Sequence, residues 1–405
     1  RWVSAILDYR DLLLPKPAAV VLAALVVLLA SAVFAWRTRK PSAPDVAKPR
    51  LSIIDTLGPT RDNRGFARAT SPRALRFPED HGPHPEFRSE WWYFTGNLEA
   101  GDGRRFGYQF TVFRFALAPA TGAVRESAWA TNQVYMAHFA LSDVAARAFH
   151  AFERTSRSAL GLAGARASPF RVWVETWSAE GPASGGALAP VHVRAEEGDY
   201  AVDLVLEQGK AFVLQGDEGL SQKGKALGNA SYYYSATRMP TTGSVRVRGE
   251  SFAVRGASWM DREWSTSALE AGQTGWDWFC LQLDDGRDLM FFRLRGKGGL
   301  SDPSSSGSIV EPGGVLRRLS FADVEVVPMG NWKSPRSGGV YPGAFRLRVP
   351  AEGLDLEISP WLADQELDVS FRYWEGAIRA TGTRSGKPIR GSGYLELTGY
   401  AERAH

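Results

Sequence analysis

The segment WDWFCLQLDDGRDLMFFRLRG, residues 276–296, places two aromatic-rich runs on either side of Asp285-Gly286. An Asp-Gly pair between two such runs is a strong signal for a tight turn that joins antiparallel strands. The same pattern of short strand-like runs around turn residues recurs at 245–254 and at 345–358. Many short strands at regular spacing are typical of sandwiches and up-and-down barrels. We therefore predict an all-β fold.

The composition agrees with that fold and limits the kinds of site that the chain can build. Aromatic residues make up 12% of the 405 residues and include 14 Trp, whereas long stretches with a helical period are scarce, which argues against a helical bundle. The length suits two ordinary domains. The single cysteine, Cys280, excludes an internal disulfide framework and any metal site built from several cysteines.

The basic character of the chain resides in its first fifty residues. Residues 1–50 carry eight Lys or Arg and three acidic residues, which leaves 40 of the 48 basic and 41 of the 44 acidic residues for the rest of the chain. A body without net positive charge lacks the electrostatic footprint of a nucleic-acid-binding protein. We therefore expect no nucleic-acid partner.

The N-terminal segment contains a candidate membrane anchor. Residues 17–36 read PAAVVLAALVVLLASAVFAW, without a charge, and three basic residues follow within 37–40. At 1.5 Å per residue, such a run spans a hydrocarbon layer of roughly 30 Å. We predict an uncleaved anchor rather than a signal peptide, followed by a Pro-rich tether at 41–50. We expect an inner-membrane anchor with a periplasmic body, and a cytoplasmic body is the alternative because basic residues flank the span at both ends.

The strand-like runs divide the rest of the chain into two parts, each opened by a Trp-rich acidic motif. After the N-terminal segment 1–40 and the tether, we predict a first barrel over 51–245 and a second barrel over 246–405. A short helix near 156–165 is also expected.

The motif SEWWYFTG, residues 89–96, opens the first half. Successive side chains of a strand alternate between its faces, so Glu90 and Trp92 share one face and Trp91 and Tyr93 the other. A carboxylate beside an indole on one surface suits a binding or catalytic site. The alternative is a barrel strand that is covered by apolar groups on both faces.

The motif GASWMDREWS, residues 256–265, opens the second half. Trp259, Asp261 and Glu263 share one face of the predicted strand, and the arginine and second tryptophan of the motif lie on the other. Two carboxylates on one aromatic-flanked face are able to act as an acid and a base. The alternative is a buried ion pair with arginines elsewhere in the chain.

Two further motifs place polar groups in apolar strands. The run SYYYSATRM, residues 231–239, can line a cavity with hydroxyl groups, and ordinary core packing is an equal alternative. His138 lies within YMAHFAL. It is either a ligand contact or a core histidine whose hydrogen bonds are made inside the protein.

His81 and His84 are spaced HxxH but lie in a loop without a partner pair, so we expect no metal site. The motifs for dinucleotides, for phosphate loops and for nucleophile elbows are absent from the sequence, and we expect no cofactor.

Together, SEWWYFTGNL, YMAHFAL, SYYYSATRM, SWMDREWS, GWDWFCLQLDDG and YWEGA with GSGYLELTGY resemble the lipocalin-like AttH and carotenoid 1,2-hydratase (hydroxyneurosporene synthase) family. The resemblance extends from about Leu51 to the C-terminus. It implies two tandem lipocalin-like antiparallel β-barrels with a ligand cavity within or between them. Members of the family include carotenoid hydratases, proteins encoded beside MacB/FtsX-type ABC transporters, and relatives of fungal Diels-Alderase-like cyclases. The fold is therefore better specified than the chemistry.

Two functions follow from this resemblance. The first is a membrane-tethered protein that binds an elongated lipid or isoprenoid and hands it to an ABC transporter permease. The second is a hydratase that adds water to a terminal isoprenoid double bond, with Asp261 as the acid and Glu90 or Glu263 orienting water. The first is favoured, because hydratases usually have an Asp-His pair where this chain has Asp261-Arg262, and an arginine cannot exchange a proton near neutral pH.

We predict catalytic roles for Asp261, Glu263 and Glu90. The predicted contacts to the ligand are Trp91, Trp92, Tyr93, His138, Tyr232, Tyr233, Tyr234, Trp259, Trp264, Trp276, Trp278, Tyr373 and Trp374.

Overall fold

The structure is a computed structural model that describes residues 63–119, 127–184, 186–267 and 269–401. The predicted anchor at 17–36 and the tether at 41–50 lie outside these residues. None of the helices in the described ranges is long and apolar enough to cross a membrane.

The described part of the chain is built almost entirely from antiparallel strands, and the first sheet takes the longer part of it. Its strands run in the order β4-β3-β2-β1-β13-β12-β9-β8-β7-β6-β5, and β10 and β11 pair with β12. They are β1 (Ser89–Ala100), β2 (Arg105–Ala116), β3 (Gln133–Asp143), β4 (Ala148–Arg157), β5 (Ala163–Arg166), β6 (Arg171–Val174), β7 (Trp177–Glu180), β8 (Val191–Glu197), β9 (Tyr200–Leu206), β10 (Val213–Leu214), β11 (Leu220–Gln222), β12 (Ala230–Val247) and β13 (Glu250–Ser265).

The second sheet follows in sequence and is built in the same way. Its strands run in the order β17-β16-β15-β14-β23-β22-β20-β19-β18, and β21 pairs with β22. They are β14 (Gln273–Leu283), β15 (Asp288–Gly296), β16 (Ser306–Val310), β17 (Leu316–Ser320), β18 (Glu325–Lys333), β19 (Val340–Val349), β20 (Leu354–Pro360), β21 (Glu366–Asp368), β22 (Arg372–Arg384) and β23 (Lys387–Leu397). The described helical turns are short 3-10 segments at Glu79–His81, Lys297–Gly299, Phe321–Asp323 and Pro350–Glu352.

The hairpins predicted from the sequence are present. Strands β14 and β15 pair around the Asp285-Gly286 turn, and β19 and β20 pair around 350–353. Gly286 has a φ of 86°, a conformation that glycine adopts without steric cost. The all-β antiparallel prediction is therefore confirmed, in the form of two barrel-like sheets.

The described residues form three apolar clusters, of which one lies inside each sheet and the third joins the two sheets. One fills the interior of the first sheet around Trp92, Phe94 and Phe110, and a second fills the interior of the second sheet around Phe279 and Phe345. The third contains Tyr93, Trp259, Trp278 and Tyr394, which come from the faces that the two sheets turn toward each other. Both barrel interiors are thus occupied by side chains, and the open space described below lies between the sheets.

The sequence-based divisions of the chain differ from the structure in two places. Strands β12 and β13 form one hairpin that stays in the first sheet, so the change of sheet falls between Ser265 and Gln273 rather than at 245/246. The predicted helix near 156–165 is instead the end of β4, a turn and the start of β5. At both places, pairing with a neighbouring strand decides the structure, and this pairing is not visible in local sequence.

Candidate functional site

A cavity of about 110 Å³ lies between the two sheets. Strands β1, β2, β3, β12 and β13 of the first sheet form one wall, and β14, β15, β22 and β23 of the second sheet form the other. Most of the wall is aromatic or aliphatic, and its polar groups include four carboxyl groups, one lysine and one histidine. The lining residues are Trp91, Tyr93, Thr111, Phe113, Phe115, His138, Lys223, Tyr233, Asp261, Glu263, Trp276, Trp278, Phe292, Leu294, Phe371, Tyr373, Glu375 and Glu396.

Asp261 lies in this wall with three hydrogen-bond donors around its carboxyl group. Its Oδ1 accepts hydrogen bonds from Ser235 Oγ at 2.5 Å and from Trp259 Nε1 at 2.7 Å. Its Oδ2 accepts one from the Tyr233 hydroxyl at 2.6 Å. Burial raises the pKa of Asp261 to about 7, although the three donors oppose that rise. Both the protonated and the ionised form of Asp261 are therefore populated near neutral pH.

Glu263 shares the face of Asp261 and has a cationic partner. Ser231 Oγ donates a hydrogen bond to Glu263 Oε1 at 2.5 Å, and Lys223 Nζ lies 3.2 Å from the same oxygen. The Lys223 ammonium also lies 3.9 Å from the ring centroid of Phe292, within the range of a cation–π contact. Glu263 and Lys223 thus form a buried ion pair at the cavity wall.

Glu375 and Glu396 provide two further carboxyl groups on the opposite wall. They stand directly opposite each other on β22 and β23. Trp276 Nε1 donates a hydrogen bond to Glu396 Oε1 at 2.9 Å. Burial raises the pKa of both carboxyl groups, and the charge of Glu396 raises that of Glu375 further.

His138 links the cavity to a carboxylate nearer the surface. Its Nδ1 lies 2.8 Å from the Tyr373 hydroxyl, and its Nε2 lies 3.1 Å from Glu153 Oε2. The backbone amide and hydroxyl of Ser370 also donate hydrogen bonds to Glu153. Burial alone would raise the pKa of Glu153, but the bonds from His138 and Ser370 lower it overall. His138 therefore bridges β3 of the first sheet to β22 of the second.

Nine of the predicted contacts or catalytic residues line the cavity together. Trp259 borders it, because its indole donates a hydrogen bond to Asp261 and meets the Trp278 ring edge-to-face at 6.3 Å. The nine are Trp91, Tyr93, His138, Tyr233, Asp261, Glu263, Trp276, Trp278 and Tyr373.

Glu90, which we predicted to be catalytic, is not at the cavity. It lies on the opposite face of β1, where it is fully buried and paired with Arg114 and Arg262. The backbone amide of His84 donates a further hydrogen bond at 3.0 Å. Burial would raise the pKa of Glu90, but Arg262 and Arg114 hold it well below its usual range. Glu90 is therefore a structural anion inside the first sheet.

The remaining predicted contacts also face away from the cavity, because their positions along each strand put them on the interior faces. Trp92 donates a hydrogen bond to the His81 carbonyl at 2.9 Å, and Trp264 stacks on His84 at 3.9 Å. Tyr232, Tyr234 and Trp374 likewise belong to the barrel interiors.

Arg262 lies on that interior face as well. Its guanidinium group pairs with Glu90 and lies 3.9 Å from the centroid of the Trp92 ring. The residue at position 262 therefore does not line the cavity. We argued from this arginine against proton-transfer chemistry. Because its side chain lies on the interior face, that argument does not apply to the groups that line the cavity.

Several cavity residues were missed from the sequence, above all Lys223, Glu375 and Glu396. The two glutamates lie in YWEGA and GYLELTGY, motifs that we used for the family resemblance. A single carboxylate in an otherwise apolar strand was the available signal. Lys223 lies in a loop, where nothing in the local pattern indicates burial. Within the described ranges, we find no group of three or more His, Cys, Asp or Glu side chains that could hold a metal ion.

Comparison with known proteins gives one family and several related structures. The family model for AttH-like proteins matches residues 68–400. A structure described as an AttH from Nitrosomonas europaea is 34% identical, covers 83% of this chain and 100% of its own, and superposes with a TM-score of 0.72. Kievitone hydratase from Nectria haematococca is 16% identical, covers 84% of this chain and 99% of its own, and has a TM-score of 0.63, which shows a shared fold. A search of the curated proteins found no match.

Proposed function

The chain belongs to the AttH-like family, and on that premise we propose that it is an enzyme that binds a hydrophobic molecule between its sheets and adds water to a carbon–carbon double bond. Different residues of the cavity support ligand binding and proton transfer.

The walls of the cavity support the binding of an apolar ligand. Aromatic rings from both sheets face the space, among them Trp91, Phe113, Phe292 and Phe371. Pockets lined by aromatic side chains with a few placed polar groups are typical of sites for small hydrophobic ligands. A space of about 110 Å³ suits the end of an isoprenoid chain rather than a whole polyene. The remainder of a long ligand would have to extend outside the cavity.

The carboxyl group of Asp261 is the observation that carries the catalytic part. A site that only holds an apolar molecule gains nothing from a buried acid, because burial of a polar or charged group costs free energy. Asp261 is buried in the cavity wall and has a pKa of about 7. A group of this kind is suited to exchange protons with a bound molecule at neutral pH.

The hydrogen bonds around Asp261 favour its action as a base. Hydration proceeds by protonation of the alkene and attack of water on the resulting carbocation. The added water then loses a proton to a nearby base and leaves an alcohol. Ser235, Tyr233 and Trp259 donate to the Asp261 carboxyl and so stabilise its anion. We therefore assign Asp261 the base role, in place of the acid role expected from sequence. The rings of Trp276 and Trp278 line the cavity, and aromatic rings stabilise a nearby cation.

The second candidate function is binding without chemistry, and the aromatic walls favour it equally. In that case, the protein would carry its ligand to an ABC transporter permease, attached to the inner membrane through residues 17–36 with its body in the periplasm. The apolar lining supports ligand binding in both proposals, and the buried Asp261 favours the enzyme.

Replacement of Asp261 separates the two functions. The full chain is incubated in detergent with lycopene, neurosporene or the short isoprenoid alkene geraniol, and the products are analysed by mass spectrometry. We expect a product heavier by one water, and Asp261→Asn should slow its formation by roughly 10²- to 10⁴-fold with unchanged binding of the probe. The control is Asp199→Asn, at an exposed turn. An Asp261→Asn variant with wild-type turnover would remove this assignment.

A further inference from the structure

We propose that Glu375 and Glu396 act as one carboxyl pair that gives the proton to the double bond of the ligand. This inference rests on the proposed hydration and supplies the acid that Asp261, as the base, leaves unassigned.

The position of the two residues in the second sheet is the first support. Strands β22 and β23 are hydrogen-bonded neighbours, and Glu375 is paired directly with Glu396 in their register. Side chains at such paired positions lie on the same face with their Cβ atoms roughly 5 Å apart. Both glutamates line the cavity between the sheets. The pair therefore presents two carboxyl groups to one apolar space.

The lack of a neutralising cation is the second support. Lys223 is the one Lys or Arg among the described lining residues, and it is paired with Glu263 on the other wall. Glu375 Oε1 has no hydrogen-bond partner of acceptable geometry among the residues that the structure describes. Burial and the charge of Glu396 raise the pKa of Glu375 more than hydrogen bonding from Tyr93 and Tyr373 lowers it. Two carboxylates that share an uncompensated apolar site cannot both ionise near neutral pH. Because burial raises the pKa of Glu396 to about 8 and the pKa of Glu375 is raised as well, the pair holds both of its protons at neutral pH.

The surrounding groups strengthen this effect. The charges of Glu263 and Asp261 raise the pKa of Glu396, after burial as the main cause. An ionised Asp261 thus favours a protonated Glu396, so the acid and the base of the reaction are held in complementary states. The other titratable groups that face the cavity are Tyr93, His138, Lys223, Tyr233 and Tyr373.

The hydrogen bond from Trp276 explains how the pair can release a proton. Once one proton has left, the remaining proton is shared by the two carboxyl groups, as in other coupled carboxyl pairs. Trp276 Nε1, 2.9 Å from Glu396 Oε1, stabilises the negative charge on that oxygen. The monoanion is therefore accessible, whereas loss of the second proton would leave two adjacent charges.

The reaction then balances in three steps. The π electrons of the alkene take the proton from the Glu375–Glu396 pair, which forms a C–H bond, a carbocation and a carboxylate. The oxygen of a water molecule attacks the cation and forms the C–O bond. Its extra proton passes to the carboxylate of Asp261. Transfer of one proton from Asp261 back to the pair, through water, restores the starting state, and the net change is the addition of one water.

Infrared spectroscopy of the full chain tests the pair without any ligand. At pH 7, we expect a carbonyl stretch from protonated carboxyl groups that is reduced in Glu375→Gln and in Glu396→Gln. Asp261→Asn should lose only the contribution of Asp261 itself, whose pKa is about 7. The matched control is Glu153→Gln, because hydrogen bonds to Glu153 favour its ionised form. A protonated-carboxyl signal that neither glutamine variant reduces would overturn the proposal.

Turnover of an isoprenoid alkene provides the second readout. Each glutamine variant should lose roughly 10²- to 10⁴-fold in turnover with unchanged binding of the probe. Wild-type turnover in both variants would overturn the proposal and leave Asp261 in place. If the wild-type protein converts no alkene, the proposed hydration fails, and the infrared signal still decides whether the pair holds the proton.

Discussion

Glu90 and Asp261 are both buried acids on neighbouring strands, and their surroundings set their charges in opposite directions. Glu90 lies between two guanidinium groups inside the first sheet, and these hold its pKa low. Asp261 has neutral hydrogen-bond donors and no cationic partner among the described residues, so burial dominates and raises its pKa. A buried ion pair is poor evidence of function, whereas a carboxyl group with a raised pKa in a cavity indicates a candidate site.

This difference predicts how the stability of the protein depends on pH. The pKa of Asp261 rises from 3.8 to about 7 on folding, so the folded state binds more protons than the unfolded state in that window. The stability that Asp261 contributes is therefore present below pH 3.8 and is lost as the pH rises through about 7. Below that window, Glu90 acts in the opposite sense, because its lowered pKa removes stability as the pH falls.

Urea unfolding at several pH values measures the effect. Between pH 4 and pH 7, we expect the free energy of unfolding of the wild type to fall more steeply than that of Asp261→Asn, by about 1.4 kcal/mol per pH unit. Asp199→Asn should retain the slope of the wild type. Equal slopes for the wild type and Asp261→Asn would show that Asp261 is ionised throughout.

The sequence predicted Asp261 and Glu263 as cavity residues but assigned Glu90 to the same site. The alternation of side chains along a strand is encoded locally, which is why the shared face of Asp261 and Glu263 could be predicted. Which face turns inward is decided by packing against distant strands. The role of Glu90 therefore required the structure.

Strand β1 shows the same principle at the scale of one element. It pairs with β2 on one side and β13 on the other, and both of its faces are covered. Trp92 fills the interior of the first sheet and is fully buried, whereas Trp91 is half-buried and lines the cavity. Two adjacent tryptophans therefore serve different purposes.

Alanine substitutions at these two positions should separate stability from binding. Trp92→Ala removes a large side chain from a packed core and should lower the free energy of unfolding by about 3–5 kcal/mol. Trp91→Ala should cost less stability and weaken binding of an isoprenoid probe about tenfold, through the loss of about 1.4 kcal/mol of contact. Denaturant unfolding and probe fluorescence measure the two quantities. The opposite assignment of effects would show that the faces of β1 are reversed.

Hairpins are the elements that the sequence predicts best. The turns at 248–249, 285–286 and 350–353 all lie where turn residues separate apolar runs. The assignment of a hairpin to a sheet was less reliable, because β12 and β13 read locally as the start of a second domain. Their pairing with β9 and β1 places them in the first sheet, and such long-range pairing leaves no local mark.

At the scale of the whole molecule, the cavity depends on the close approach of the two sheets. Gly107 of β2 meets the second sheet directly, since an added Cβ would lie 2.5 Å from Ala377 Cβ and 2.9 Å from the Tyr394 hydroxyl. Nearby, Asn97 Nδ2 donates a hydrogen bond to the Gly393 carbonyl at 2.9 Å. The sheets are thus held at a short separation beside the cavity.

Gly107→Val should disturb the site without altering a residue that lines it. Its side chain cannot fit unless the sheets move apart, so we expect a loss of about 1–3 kcal/mol in the free energy of unfolding together with weaker probe binding. The matched control is Gly101→Val, where an added Cβ meets no atom within 4 Å. Unchanged binding and stability in Gly107→Val would contradict this account of how the sheets form the cavity.

The resemblance of the motifs predicted two barrels with a cavity within or between them, and the structure places the cavity between. The distinction depends on filled interiors, where Trp92, Phe94 and Phe345 occupy the space that a ligand would need. The side chains on the faces that the two sheets turn toward each other therefore line the cavity. Such packing between sheets arises from many contacts distant in sequence, and no single motif encodes it.

Incorporation of labelled water tests the central claim most directly. The full chain and its Asp261→Asn variant are incubated with an isoprenoid alkene in water labelled with heavy oxygen, and the recovered ligand is analysed by mass spectrometry. We predict an alcohol that carries the heavy oxygen from the wild type and almost none from the variant. An alkene that binds to the wild type and is recovered unchanged would contradict the enzymatic account and identify the protein as a carrier.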